Sequence, residues 1–258
     1  MRYFVVDAFS ENLFGGNPAG VCVLDAPISA ERMQRIATEN NLSETAFLLP
    51  AEDHYTLQWF TPKAEIDLCG HATLGTAFVI KNFVDKNAQQ MRFATRSGTL
   101  YVRMRDDKYV LDFPARMPKR VPVTQEMTAA LQAEPLEAYL SRDLMLVLPD
   151  EAQVASLDPD FEKIAALEAG LGVIVTAKGK RYDFVSRCFF PKLGVPEDPV
   201  TGSAHCNLIP YWAERLKKQE MTAAQLSARG GVLYCENKGD RVEIGGKAVL
   251  YLQGELMV

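Results

Sequence analysis

Two segments of this chain repeat one order of residue types, and the repeat constrains the fold more than any other feature of the sequence. Each segment has an aromatic strand end, a Pro-Lys turn, acidic residues and then the small-residue start of a helix. The order is the same in both, so the sequence predicts two similar units, and we expect their two helix N-termini to face one cleft. The copies are Phe60-Thr61-Pro62-Lys63 with Gly70-His71-Ala72, and Phe189-Phe190-Pro191-Lys192 with Gly202-Ser203-Ala204.

The second copy shows why such a helix start suits an anion. Its acidic pair Glu197-Asp198 and the residues 199–204 lead directly into residues 206–216, whose pattern is typical of an amphipathic helix. The first turn of a helix has backbone N–H groups without intrahelical partners and carries the positive end of the macrodipole, so it favours an anion in front of it. We therefore expect the backbone amides of Gly70, Gly202 and Ser203 to bind anionic oxygens of a substrate.

The size and composition of the chain fit two globular domains. Its 258 residues, 48% of them hydrophobic and 24% charged, suffice for two cores of ordinary size. Three prolines at 114–122 mark the best linker candidate, so we place an N-terminal domain at 1–115 and a C-terminal domain at 116–247. Hydrophobic periodicity and cap residues predict helices near 30–40, 70–82, 160–169 and 202–218, with β-strands over much of the remainder.

Charge and cysteine content argue against several kinds of partner. The net charge is −5 and there is no basic run, so we expect neither nucleic acid nor a membrane as a partner. A small anionic ligand stays open, because local dipoles and single cations decide its binding. No segment approaches the length of a membrane span, and residues 1–7 are too short an apolar run for a signal peptide. The five scattered cysteines are odd in number, which is simplest to interpret as reduced thiols in a cytoplasm.

Four motifs in one order resemble those of the PhzF-like family, named after the phenazine-biosynthesis isomerase and related in fold to diaminopimelate epimerase. The resemblance runs from the N-terminus to about residue 212. It implies an α+β fold of two similar domains related by pseudo-two-fold symmetry, each a β-barrel around a central α-helix, with the active site in the cleft between them. It also implies that the final strand, within 248–258, completes the first domain, and that the protein uses no cofactor. The motifs are Gly16-Asn17-Pro18-Ala19-Gly20, Ser43-Glu44-Thr45-Ala46-Phe47, Asp67-Leu68-Cys69-Gly70-His71-Ala72-Thr73 and Glu197-Asp198-Pro199-Val200-Thr201-Gly202-Ser203-Ala204-His205.

Glu44 is the leading candidate for a catalytic acid/base. Residues 42–49 are typical of a strand, and period-two alternation puts Glu44 on the same face as three apolar residues. From the residues alone, a carboxylate at a strand edge that is solvated or paired with a lysine is the favoured explanation, but the resemblance reverses this in favour of a functional role. A carboxyl group among apolar neighbours has a raised pKa, so it can accept and return a proton near neutral pH.

The other candidates each have a structural alternative. His71 is either a donor to a substrate oxygen or a helix-end residue bonded to a carbonyl group. Asp198 either holds substrate together with His71 or caps the following helix. Asn17 borders the substrate in the family pattern, although a loop asparagine can simply satisfy a turn. Arg187 either binds an anionic substrate or forms a surface ion pair.

Other chemistries are less well supported by the sequence. A thiol-based racemase or epimerase would need a second thiol opposite Cys69, but the repeat puts Thr201 there. A hydrolase would need a nucleophile-elbow pattern, which is missing. The short Cys/His pairs at 69–71 and 205–206 lack zinc spacing, so we expect no metal. The favoured function is a cofactor-independent isomerase of a small anionic metabolite; a non-catalytic binding protein and a homodimeric assembly are left open.

Overall fold

The repeat in the sequence corresponds to two units of the fold. The structure, a computed structural model, describes residues 1–258. The first unit contains Met1–Asp112 together with Gly245–Val258, and the second contains Phe113–Ile244. Each unit combines many β-strands with few helices, so the fold class is α+β with two similar units, as predicted.

The first unit contains two helices and most of the long strands of the chain. Its last helix is extended by one π-helical turn at Ile80–Val84, and β8 runs just past the boundary of the unit. The elements are β1 (Arg2–Ala8), β2 (Asn17–Val23), α1 (Ala30–Asn40), β3 (Glu44–Pro50), β4 (Tyr55–Phe60), β5 (Glu65–Ile66), α2 (Gly70–Val79), β6 (Gln90–Thr95), β7 (Gly98–Arg105) and β8 (Lys108–Pro114).

The second unit has the same kinds of element with shorter helices before its long one. A single 3-10 turn at Pro191–Leu193 occupies the Pro-Lys position of the repeat. The elements are β9 (Lys119–Val121), α3 (Gln125–Leu131), β10 (Glu137–Leu140), β11 (Leu144–Val147), α4 (Glu151–Ala155), α5 (Phe161–Ala166), β12 (Val173–Lys178), β13 (Phe184–Phe190), β14 (Val195–Asp198), α6 (Gly202–Leu216), β15 (Glu220–Gln225), β16 (Gly231–Asn237) and β17 (Arg241–Gly246); the last strand, β18 (Ala248–Glu255), belongs to the first unit.

Strand pairing is the same in both units. In the first, β1/β2 is antiparallel, β2/β3 parallel, β3/β4 antiparallel, β4/β6 parallel and β6/β7 antiparallel. In the second, β10/β11, β11/β12, β12/β13, β13/β15 and β15/β16 follow the same alternation. Each unit adds one outer antiparallel strand, β18 beside β1 and β9 beside β10. The prediction of two similar units is confirmed by this shared order of pairings.

The hydrogen-bond register then matches individual residues between the copies. Phe60 pairs with Thr45 on β3, and Phe189, which opens the second copy, pairs with Val173 on β12. The residue before Val173 is Gly172, so it holds the position of Glu44. A β-carbon at Gly172 would lie 2.1 Å from a ring carbon of Phe190, which leaves no room for a side chain. The second unit therefore cannot carry an acid at this position without repacking.

Each unit has one mostly buried helix. Of the ten residues of α2, eight are buried, and the helix packs against β1, β2, β3, β7 and β18. In α6, 11 of 15 residues are buried. There, the Trp212 indole donates to the Thr176 hydroxyl of β12 at 2.9 Å and its ring stacks on Phe184 of β13. Because both helices are buried along most of their length, they form part of a core rather than of a surface.

Several local predictions were wrong. The helix expected at 70–82 ends at Val79 before the π-helical turn, and the one expected at 160–169 covers only Phe161–Ala166. The predicted linker at 114–122 contains β9, which pairs with β10. The strand expected at 42–49 begins at Glu44. The short elements α3, α4, β14 and β15 were not predicted. No helix is both long and apolar enough to cross a membrane.

Candidate active site

Three sequence motifs meet at the start of α2 in the first unit. Strands β2 and β3 run parallel with Ala19 beside Glu44, so Asn17 and Glu44 come from the same end of the sheet. His71, the second residue of α2, lies between them. Its Nε2 atom is 3.0 Å from Glu44 Oε2, and its Nδ1 atom is 3.2 Å from the Asn17 side-chain nitrogen. The structure thus brings Asn17, Glu44 and His71 into one cluster.

The electrostatics of this cluster favour a charged histidine. Burial by itself lowers the pKa of His71, but the Glu44 charge and the hydrogen bonds to Cys69 and Glu44 outweigh it and raise the pKa well above 6.5. Burial, reinforced by the Glu44 charge, raises the pKa of Cys69, so this residue is a protonated thiol at neutral pH. The Glu44 carboxylate is therefore the group that holds the imidazolium, and its side chain is only 16% exposed.

The same cluster contains a donor set for a metal ion. Glu44, Cys69 and His71 offer a carboxylate oxygen, a thiol sulfur and an imidazole nitrogen within 4.8 Å of one another. Zinc accepts these three ligand types, usually with a fourth position open in catalytic sites. His205 and Cys206, which form the other short Cys/His pair of the sequence, do not belong to this group.

In the second unit, a buried glutamine fixes the loop that leads into α6. The Gln225 side chain donates to the Asp198 carbonyl oxygen at 2.7 Å and accepts from the Thr201 N–H group at 2.8 Å. Asp198 Oδ2 accepts from the Thr201 hydroxyl at 2.5 Å. These bonds hold the loop on both sides of Pro199, so that Gly202 and Ser203 form the first turn of α6 in a defined place.

Arg187 forms its side-chain hydrogen bonds within the second unit. Its Nε and Nη2 atoms donate to the two carboxylate oxygens of Glu197 at 2.7 and 2.9 Å, and Nη1 donates to the Leu157 carbonyl oxygen at 2.7 Å. A bidentate pair of this kind occupies one edge of the guanidinium, and the backbone bond occupies another donor. Arg187 thus forms the ion pair that was the structural alternative for this residue.

His205 differs from His71 in both environment and charge. It is fully buried on α6, and its Nδ1–H group donates to the Thr201 carbonyl oxygen at 2.8 Å. Burial lowers its pKa to about 4, so the ring is neutral at pH 7. This histidine contributes to the core and to the geometry of the first turn of α6.

Sequence reasoning missed three side chains that shape these sites. Cys69 was considered as a packed thiol, a base or a metal ligand, but not as a neighbour of His71, whose Nδ1 atom lies 3.5 Å from its sulfur. Gln225 has no motif around it. Arg142 lies in the turn between β10 and β11, and its Nη2 atom donates to the Ser203 hydroxyl at 3.1 Å. No spacing rule connects residue 142 with residue 203; only the fold brings them together.

Two similar α+β units, each with a buried helix that begins near polar residues, define an epimerase-type fold. The chain resembles the predicted epimerase of Pseudomonas aeruginosa in fold, with a TM-score of 0.76 at 20% identity over 100% of this chain and 99% of the other. The PhzC-PhzF family model, described as phenazine biosynthesis-like protein, matches residues 6–254, and this chain belongs to that family.

Close relatives support the assignment. Two proteins of Pseudomonas aeruginosa named uncharacterized isomerases are each 50% identical to this chain, over 99% of its length and 98% of theirs. The crystal structure of a PhzF family protein from Enterococcus faecalis has a TM-score of 0.98 and 53% identity, covering 100% of this chain and 99% of that one. Because these matches cover almost the whole chain, they include both units of the fold.

Proposed function

We propose that this chain is an isomerase that moves a proton between two positions of a small carboxylate-bearing metabolite, without a cofactor. The isomerase class follows from the family and from relatives named as isomerases. The finer assignment is supported by one observation above all, which is the 3.0 Å approach of Glu44 Oε2 to His71 Nε2 at the start of α2.

Glu44 is proposed to carry the proton. Its side chain is mostly buried, yet it keeps some access to a bound molecule. A single carboxylate that takes a proton from one carbon and returns it to another on the same face needs no second base. This fits the second unit, where Gly172 takes the position of Glu44 and packs against Phe190. A mechanism with two equivalent bases would require a side chain there.

His71 and the two helix starts are proposed to stabilise negative charge. An imidazolium beside the base can donate to a substrate oxygen on which charge develops, and backbone N–H groups at Gly70, Gly202 and Ser203 can do the same. Asp198, held by Thr201, is proposed to orient the substrate. The Asn17 side-chain amide lies 3.2 Å from His71 Nδ1, and opposite a charged ring it must present its oxygen atom as the acceptor that orients the ring.

A thiol-based racemase is less well supported. Its first thiol would be Cys69, which is buried and has a raised pKa, so it is a poor source of thiolate. Its second would be at Thr201, whose hydroxyl is bonded to Asp198. Neither position supplies a readily formed anion that could act as a base.

Hydrogen exchange tests the proposal. Small cyclic and acyclic carboxylates are incubated with the protein in deuterated water, and deuterium at carbon is followed by mass spectrometry and NMR. We expect wild type to convert at least one compound with deuterium uptake, and Glu44→Gln to lose at least about 10²-fold of that rate while still binding the compound. Glu52→Gln, an exposed loop variant with the same chemical change, is the control and should match wild type. Wild-type turnover by Glu44→Gln would exclude Glu44 as the proton carrier.

A further inference from the structure

Arg142 presents a partly free guanidinium at the start of α6. It lies in the turn between β10 and β11, and its Nη2 atom donates to Ser203 Oγ at 3.1 Å. Ser203 is the second residue of the helix, in the turn whose backbone N–H groups lack intrahelical partners. Because Ser203 Oγ accepts a bond from Arg142, its own O–H remains able to donate to a ligand.

A buried carboxylate holds this guanidinium in place. Asp143 Oδ2 accepts from Arg142 Nε at 3.1 Å and from Nη2 at 2.8 Å. The Asp143 side chain is 0% exposed, whereas that of Arg142 is 40% exposed. Fixing one edge in this way restricts the rotation of the side chain and leaves the opposite edge, which carries Nη1, without a hydrogen-bond partner. The arrangement is that of an arginine oriented in advance for an anion.

Arg142 and Arg187 are therefore used differently. Arg187 has Glu197 across one edge and a backbone carbonyl oxygen on Nη1, and only 12% of its side chain is exposed. Arg142 has its Asp143 contact confined to one oxygen atom and keeps two Nη1 protons for another partner. Of these two arginines near the α6 loop, Arg142 is the one able to take a ligand.

The internal repeat gives this position a counterpart in the first unit. Gly20 pairs with Thr45 on β3 and Leu144 pairs with Val173 on β12, so the register matches Gly20 with Leu144 and Pro18 with Arg142. In the first unit the neighbouring Asn17 contacts His71; in the second, Arg142 contacts Ser203, which matches His71 in the repeat. In both copies, a polar side chain at or just before the start of the second strand contacts the second residue of the buried helix.

We propose that Arg142, together with the Ser203 hydroxyl and the first-turn amides of α6, binds a carboxylate group of the substrate. This assignment rests on the proposed isomerase function for the identity of the bound molecule as substrate. The Nη1 edge and the hydroxyl offer donors to the two oxygens of a carboxylate, and the helix end adds favourable potential. A neutral amide of the same shape lacks the charge and is expected to bind more weakly.

Ligand binding tests the site without requiring turnover. A panel of fluorinated carboxylates, including 4-fluorobenzoate and fluorinated cyclohexane carboxylates, is titrated by fluorine NMR beside the matching neutral amides. Wild type should prefer at least one carboxylate to its amide. Arg142→Gln should weaken binding of that carboxylate by roughly tenfold to a hundredfold, the loss expected for a hydrogen bond to a charged group, and leave amide binding unchanged. Arg142→Lys keeps the charge but loses the planar guanidinium, so its affinity for the carboxylate should lie between those of wild type and Arg142→Gln.

The controls separate this proposal from the isomerase proposal. Arg181→Gln, an exposed arginine of the same unit stacked on Tyr182, should bind the carboxylate as wild type does. The measurement requires no turnover, so a failure of proton transfer does not affect it. Circular dichroism confirms the fold of each variant, and Arg142→Lys carries the test if Arg142→Gln does not fold. The assignment would be overturned if wild type showed no preference for a carboxylate, or if Arg142→Gln kept that preference. It would also be overturned if the preference were unchanged in Arg142→Lys.

Discussion

Gly172 occupies in the second unit the strand position that Glu44 occupies in the first. The register of β3/β4 and β12/β13 shows this relationship, and Phe190 fills the space next to the glycine. The two copies have therefore kept one architecture, while only the first has an acid at this strand position.

Gly172→Ala should destabilise the protein by about 1–3 kcal/mol. The new β-carbon would lie 2.1 Å from a ring carbon of Phe190 and 2.8 Å from the Phe189 carbonyl oxygen, so both ring and backbone must shift. Chemical denaturation measures the change. Gly75→Ala is the matched control, since its β-carbon would meet nothing closer than 3.5 Å and alanine is the better helix residue, and it should be neutral or stabilising. Equal stabilities for the two variants would contradict the close packing of Phe190 against Gly172.

Cys69→Ser should retain turnover within about tenfold of wild type, because loss of a catalytic base typically costs on the order of 10² or more. Burial raises the pKa of the Cys69 thiol, so it remains protonated beside His71 and does not act as a base. The deuterium uptake assay measures the rate, and circular dichroism checks the fold. A near-complete loss of activity in a folded variant would favour the thiol-based racemase.

His71 should make stability fall as the pH rises above 6.5. Its pKa in the fold lies well above the unfolded value because Cys69 and Glu44 outweigh burial, so the folded state binds the extra proton. The contribution is fully present below pH 6.5 and is lost as the pH passes through the folded pKa. Denaturation of wild type and His71→Gln from pH 6 to 10 measures it. The stability difference between them should shrink towards high pH; a constant difference would argue against a charged His71.

His205 should act in the opposite direction. Its pKa is lowered by burial to about 4, so the unfolded chain takes up a proton that the folded chain excludes. Stability from this group is present above pH 6.5 and is lost between pH 6.5 and about 4, a change approaching about 3 kcal/mol. His205→Asn keeps a donor for the Thr201 carbonyl oxygen without the titration. Its stability should fall less than that of wild type on acidification, and parallel curves would contradict the assignment.

The parts of the fold that the sequence predicted are those with strong local signals. Ser29 caps α1 through a bond to the Arg32 N–H group, and the glycine starts of α2 and α6 fall where the repeat puts them. Strand β15 was missed because Met221-Thr222-Ala223-Ala224 has little β-propensity of its own. It is a strand because β13 and β16 pair with it on both sides.

The site was predictable only where a motif carried it. Glu44 and His71 are 27 positions apart, and neither periodicity nor spacing gives the distance between them. Only the family resemblance indicated that both belong to one site. Arg142 and Gln225 belong to no motif and become visible only when strand pairing brings them to the start of α6. Tertiary contacts between distant turns leave no local pattern in a single sequence.

The pairing of β18 with β1 fixes an order of events during synthesis. Residues Ala248–Glu255 are translated after the whole second unit, yet they are the hydrogen-bonding neighbours of Arg2–Ala8, which are translated before it. The residues of the second unit are contiguous, so that unit is complete in sequence while β1 still lacks one of its partners. Domains generally fold as units when their chain has emerged from the ribosome, N-terminal ones first. Here the unit whose translation starts earlier than that of its neighbour can be completed only after it.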